Sequence, residues 1–118
     1  MTLDEFFAGY DESRAIFEAV YAAIDAVGQA ELRVTKSQVA FQRRIGFAWA
    51  WIPEMYLTGV VAPLVLSVSL RRHDESSRWK EVVQSYPGRF MHHLELRDPR
   101  EIDDNVRAWL AEAWEAAA

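Results

Sequence analysis

The chain has 118 residues, 51% of them hydrophobic and 26% charged, with a formal net charge of -5. That mixture excludes a disordered polar chain, and no apolar run approaches the ~18 residues needed to cross a bilayer. Zero cysteines exclude disulfides, thiolate metal sites, iron-sulfur clusters and a cysteine nucleophile.

In chain order, Thr2 followed by Glu5 reads as a capping box, predicting a short helix over Leu3 to Ala8 that ends at Gly9. From Glu12 to Val27 the positions Ile16, Val20, Ile24 and Val27, flanked by Phe17 and Tyr21, recur at helical spacing, and Gly28 supplies a stop. The period then changes to two. Strands are expected near Leu32 to Lys36, Gln38 to Arg43, Gly46 to Ile52, Leu64 to Leu70, Trp79 to Ser85 and Phe90 to Arg97. Short links such as Arg44-Ile45 favour antiparallel neighbours, and 53–63 and 71–78 are the longer loops. Asp98 as N-cap, Pro99 at N1 and Glu101 at N3 then open a predicted helix with the stripe Ile102, Val106, Trp109, Leu110 and Ala113.

These elements define an α+β class: one mainly antiparallel sheet of five or six strands, with an N-terminal and a C-terminal helix packed on one face. No repeat or linker interrupts the chain, so residues 1–118 are expected to form a single domain. Strict alternation assigns Val39, Phe41, Phe47, Trp49, Trp51, Leu64, Leu66, Val68, Leu70, Leu94 and Leu96 to the helix-covered face. The other face would then be a floor of small and polar residues: Gln38, Ala40, Gln42, Ala48, Ala50, Ser67, Ser69, His93 and Glu95. Such a floor suits close approach by a ligand, a second copy of the chain, or the chain's own loop.

Charge is sorted along the chain. Residues 1–31 carry a net -6 and residues 98–118 a net -4, whereas residues 32–97 carry +5. The bases cluster at strand ends and turns, where Lys36, Ser37, Arg43, Arg78 and Lys80, together with His93, form a candidate site for a small anionic ligand. A compact cluster in an acidic chain speaks against duplex nucleic acid as partner, because phosphate binding needs an extended positive surface. The competing explanation is that these bases neutralise the acidic helices of the same domain.

Of the pair His92 and His93, strand geometry sends the side chains to opposite faces, which argues against joint chelation. His92 falls in the core register as a hydrogen-bonded core histidine. His93 shares the open face with Glu95, and the two are the candidate acid-base residues of a hydrolase or nuclease-like reading. The spacing of His73, Asp74 and Glu75 matches no metal-ligand motif, so no metal and no cofactor are expected. Phosphate-loop, dinucleotide, H-E-x-x-H and G-x-S-x-G signatures are missing. The favoured reading is a non-catalytic domain binding a small anion. The alternatives are an interaction or homodimerisation module and the His93/Glu95 enzyme. An N-terminus of Thr2, Leu3, Asp4 and Glu5 lacks the basic start of a signal peptide, giving a cytoplasmic expectation with no membrane partner.

Phe7-Ala8-Gly9, Glu12-Ser13-Arg14, Thr35-Lys36-Ser37-Gln38, Gly46-Phe47-Ala48, Arg78-Trp79-Lys80-Glu81-Val82, His92-His93-Leu94-Glu95-Leu96 and Trp109-Leu110-Ala111-Glu112-Ala113 are distinctive together. With these blocks the chain resembles, over nearly its whole length, a short bacterial family catalogued only as a domain of unknown function. The resemblance implies a domain that occurs alone or appended to other modules, some of them nuclease-like, with no established activity.

Overall fold

The period-two segments form six strands in the computed structural model, which describes residues 1–118. They are β1 (Glu31–Val34), β2 (Val39–Gln42), β3 (Gly46–Trp51), β4 (Leu64–Leu70), β5 (Glu81–Tyr86) and β6 (Arg89–Leu96). All neighbours pair antiparallel, in the order β1-β2-β3-β4-β6-β5. The sole departure from sequential order puts β6 between β4 and β5, so β4 lies at the sheet's interior and is buried along its whole length. Helices α1 (Leu3–Phe6), α2 (Asp11–Val27) and α3 (Asp104–Ala116) complete the α+β fold. No helix is long and apolar enough to cross a membrane.

The predicted capping box opens α1, with Glu5 N donating to Thr2 Oγ1 at 3.1 Å and Thr2 N donating to Glu5 Oε1 at 2.9 Å. The helix stops at Phe6, two residues before the predicted end, and Gly9 at φ +82° makes the turn into α2. Along α2 the stripe Ile16, Phe17, Val20 and Ile24 is at most 2% exposed. It packs with Val106 and Leu110 of α3 into the same hydrophobic cluster as Leu64, Leu66, Val68, Leu94 and Leu96. Each fully buried Leu or Ile contributes roughly 1.5–3 kcal/mol relative to exposure, which makes this face the main source of stability.

The C-terminal helix starts later than its sequence signals indicate. Asp98 and Glu101 do form a reciprocal capping box, but it encloses only a 3-10 turn, Pro99–Glu101. Ile102 then leaves helical backbone at ψ 76° and turns its side chain into the core, 3% exposed. Asp103 restarts the chain as the N-cap of α3, accepting from Val106 N at 3.2 Å. Two competing aspartate caps five residues apart, with a buried Ile between them, make two short starts out of one.

A second correction sets the character of the open face. Phe41 pairs with Ala48 and Gln42 with Gly46, so Phe47 is the extra residue of a β-bulge. Phe47 stays in the core, 1% exposed, and the alternation beyond it slips by one. Ala48 pairs with Val68 and Ala50 with Leu66, both on the helix side, whereas Trp49 pairs with Ser67 and Trp51 with Val65 on the other side. Ala48 and Ala50 are therefore fully buried and let α3 approach β3, and the open face is not a small-residue floor. It carries two half-buried tryptophans.

Candidate functional site

The open face is built row by row from strand register. One cross-strand row runs Arg33, Ala40, Trp49, Ser67, His93 and Glu81. In the next, Trp51 lies beside Val65 and Glu95. Trp49 lies down along its own strand over Gly46, where any Cβ would come within 2.7 Å of indole Cζ2. Glycine at 46 is thus a steric requirement of the platform.

Beside the tryptophans a short hydrogen-bonded chain fixes His93. Trp51 Nε1 donates to Ser67 Oγ at 3.4 Å, and Ser67 Oγ lies 2.7 Å from His93 Nδ1. Burial holds the His93 imidazole below the ordinary histidine value, against the attraction of Glu81, so the ring is neutral near pH 7. No buried side-chain nitrogen or oxygen lacks a partner. His93 Nε2, which bonds to nothing in the chain, is consequently reached by solvent.

Two cavities meet at Trp51 and His93. One, of about 380 Å³, is bounded by Gln38, Trp49, Trp51, Ser67, Met91 and His93. The other, of about 210 Å³, lies where Leu57 and Val61 of the 53–63 loop overhang Val65, Lys80, His93 and Glu95. The loop leaves β3 through the 3-10 turn Pro53–Met55 and is tied at its far end by Ser13 Oγ donating to Pro63 O at 2.7 Å. Tyr56 holds its middle, with the ring 6.3 Å from Trp51 and the hydroxyl donating to Ser37 O at 3.3 Å. Within the overhang Lys80 Nζ pairs with Glu95 Oε2 at 3.2 Å, and Arg97 approaches the other oxygen at 3.9 Å.

Of the six residues expected to hold an anion, the structure gathers Lys80 and His93. Ser37 is joined to the rim through Tyr56, and Lys36 is exposed beside it without an ion pair. Arg43 and Arg78 are elsewhere and engaged. Arg43 stacks 3.5 Å from the Trp114 ring centroid and donates to Trp114 O at 2.9 Å. Arg78 grips Asp103, the α3 cap, with both contacts at 2.9 Å.

Other central bases also serve the C-terminal helix. Arg71 donates to Ala116 O, Arg44 Nε to Ala118 O, and Arg72 holds Glu112 through two bonds of 2.9 Å. Cations on the last carbonyls of a helix satisfy orphan acceptors and oppose its dipole. Part of the charge sorting along the chain is thus intramolecular: Arg72 and Arg78 pair with the C-terminal acids Glu112 and Asp103, while the N-terminal acids take no partner from the basic centre. No group of three or more His, Asp or Glu is assembled that could hold a metal ion.

His92 sits in the core, fully buried, as its register predicts. Its Nδ1 lies 3.0 Å from Phe90 O and 3.3 Å from Val68 O, and its Nε2 accepts from Asp74 N at 3.0 Å. Two carbonyls on one side and an N–H on the other dictate the neutral Nδ1–H tautomer. Burial drives its pKa down accordingly. Asp74 carries the network outward. Burial works to raise its carboxyl, but the bonds from Trp79 Nε1, Ser76 N and Arg72 outweigh that and hold it below the usual value. Trp79 in turn packs at 4.1 Å on Trp109, so both rings are core.

Sequence reasoning missed Trp49, Trp51 and the partner role of Ser67. The sequence held no signal for them, since both parities of Gly46–Trp51 are apolar; the burial of Ile52, which shares parity with Ala48 and Ala50, marks the inward set only in the structure. Residues 3–117 match the family described as "Domain of unknown function (DUF5655)". No curated protein and no solved structure matches the chain.

Proposed function

We propose, for a chain that belongs to this family of unknown function, a non-catalytic role: binding a small ligand on the open sheet face, over Trp49 and Trp51 and beside the 53–63 loop. The observation that carries the reading is the meeting of the two cavities at Trp51 and His93, where indole surface adjoins an unpartnered imidazole nitrogen. Indole faces on a sheet cost stability through lost burial, and a planar ligand recovers that loss. An anionic ligand suits the lining of the larger cavity, which holds no carboxylate.

A thermal-shift panel of carboxylates, nucleotides, short nucleic acids and sugars tests the proposal, since a ligand at 100 times its Kd stabilises by ~2.7 kcal/mol. Stabilisation that disappears in Trp51→Ala and His93→Ala is the expected result. A panel in which nothing stabilises the protein, or in which both variants respond like the wild type, refutes it.

Catalysis by His93 and Glu95 draws less support. Ser67, the hydroxyl nearest the imidazole, is 4% exposed and accepts from Trp51, and Glu95 is engaged by Lys80. A homodimer reading has one observation in its favour. The edge strand β5 leaves Val83 43% and Tyr86 60% exposed beside unpaired backbone groups. Light scattering across a concentration series decides it, because a monomer throughout excludes that pairing.

A further inference from the structure

The hydrogen-bond donors and acceptors of the open face determine what a site there selects. An indole N–H can only donate, so Ser67 Oγ accepts from Trp51 Nε1. Ser67 is nearly buried, and its only other hydrogen-bond partner is His93 Nδ1 at 2.7 Å. Were Nδ1 protonated, the oxygen would accept twice and its own proton would have no acceptor, leaving a buried donor unsatisfied. The economical arrangement runs one way: Trp51 N–H to Ser67 oxygen, and Ser67 O–H to His93 Nδ1. The imidazole proton is then on Nε2, the nitrogen that bonds to nothing in the chain.

The rest of the lining points in the same direction. Trp49 Nε1 and the Gln38 amide make no hydrogen bond within the chain, and no carboxylate borders the larger cavity. Around the larger cavity free donors therefore outnumber free acceptors, the Gln38 carbonyl oxygen being the single uncommitted side-chain acceptor among its lining groups, whereas Glu81, the cross-strand neighbour of His93, borders only the smaller cavity. A ligand that donates finds few partners here and leaves the resident N–H groups unpaired. One that accepts satisfies them.

We infer that His93 is held as the Nε2–H tautomer by the Trp51-Ser67 relay, and that the larger cavity of the open face therefore selects an aromatic carboxylate. The ring of the ligand lies against the indoles of Trp49 and Trp51, and a carboxylate oxygen accepts from His93 Nε2. The arrangement discriminates because a wrong ligand takes water from the His93 donor without replacing its hydrogen bond. His93 is in this sense a binding residue and Ser67 a positioning residue that acts through it. The inference rests on the open-face reading above.

The test uses the intact 15N-labelled protein at pH 7.5. Long-range 15N–1H correlations first report which imidazole nitrogen of His93 carries the proton. Benzoate and benzylammonium, equal in ring and opposite in hydrogen-bonding character, are then titrated at matched concentrations while the indole N–H signals of Trp49 and Trp51 are followed. The expected result is protonated Nε2, movement of both indole signals and of His93 Nε2 with benzoate, and at least tenfold weaker effects of benzylammonium. In His93→Phe, which keeps a ring but no donor, the benzoate affinity falls at least tenfold.

A proton on Nδ1 overturns the inference without any ligand. Equal movement of the indoles by both probes, with His93 unaffected, overturns the selectivity and leaves the open-face site standing. Silence of both indoles toward both probes overturns the two together.

Discussion

Gly28→Ala isolates one close approach in the fold and tests whether Arg43 is structurally engaged. Gly28 has φ 171°, extended backbone open to any residue, so the cost is steric alone. A Cβ there would lie 2.2 Å from Cζ2, 2.7 Å from Cε2 and 2.9 Å from Cη2 of Trp114, all stiff ring atoms. The indole has little freedom to retreat, since its Nε1 donates to Gln29 O at 2.9 Å and Arg43 is stacked on it at 3.5 Å. Displacing the ring forfeits a hydrogen bond of ~1 kcal/mol and a cation-π contact of ~0.5–1 kcal/mol, with some apolar contact besides. The sum is about 2–3 kcal/mol, or a fall in Tm of roughly 8–12 °C for a chain of this size. Urea denaturation of Gly28→Ala, Trp114→Ala and the double variant forms a cycle. The expected outcome is that the alanine at 28 costs at most ~0.5 kcal/mol once Trp114 is gone. A Gly28→Ala protein as stable as the wild type, or a cost that persists undiminished in Trp114→Ala, refutes the argument and frees Arg43 from its assigned partner.

Ala50→Arg tests the bulge: full burial of Ala50 predicts a loss of more than ~4 kcal/mol or failure to fold, and a tolerated arginine would return Ala50 to the open face. His92→Phe leaves Asp74 N without its acceptor, and a loss of ~2–4 kcal/mol in urea denaturation is expected; a neutral result would deny the imidazole any part in holding the 71–78 loop. Burial depresses the pKa of both His92 and His93, so the unfolded chain binds protons that the folded chain refuses. Stability is then complete above pH ~6.5 and falls as pH drops below it, and denaturation midpoints that stay flat from pH 7.5 to 5 would contradict this. Asp98, held to about 2 by Arg100, and Asp103, held down by Arg78, are stabilising above the ordinary carboxylate range and lose that contribution as pH falls through it. Arg78→Ala removes an ion pair of which both partners are substantially exposed, so a cost of ~0.5–1 kcal/mol is expected, and Asp103→Ala should cost more, ~1–2 kcal/mol, because it also uncaps α3.

The period of apolar residues carried most of the architecture. Ile16, Val20 and Ile24 could only form a helix stripe, and Leu64 to Leu70 only a strand, because a period of 3.6 or 2 leaves no other way to bury them together. The capping residues were equally legible, Thr2 and Glu5 as predicted, but Asp98 shows the limit of local chemistry. Its capping box formed and still did not start the long helix, since Ile102 gains more by entering the core than by continuing a turn. Of the site, His93, Glu95 and Lys80 were identifiable by type, and register brought them together. Arg43 and Arg78 had the same composition signal, yet they are bound to Trp114 and Asp103, residues 71 and 25 positions away. No local rule could have distinguished the engaged bases from the free ones.

Charge, cysteine count and periodicity belong to the chain as written, and they determined an α+β chain without thiol chemistry whose helices cover one sheet face. Which residues look outward on β3 was decided only by tertiary structure. In Gly46-Phe47-Ala48-Trp49-Ala50-Trp51 both parities are apolar, so hydrophobic pattern cannot choose between them. The choice fell to volume: Phe47 and Phe41 fill the space under α2, Ala48 and Ala50 fit beneath α3 where indoles could not, and a single-residue bulge reconciles the two. That one slip moves Trp49 and Trp51 from the core to the open face beside His93, and with them the most distinctive surface of the protein.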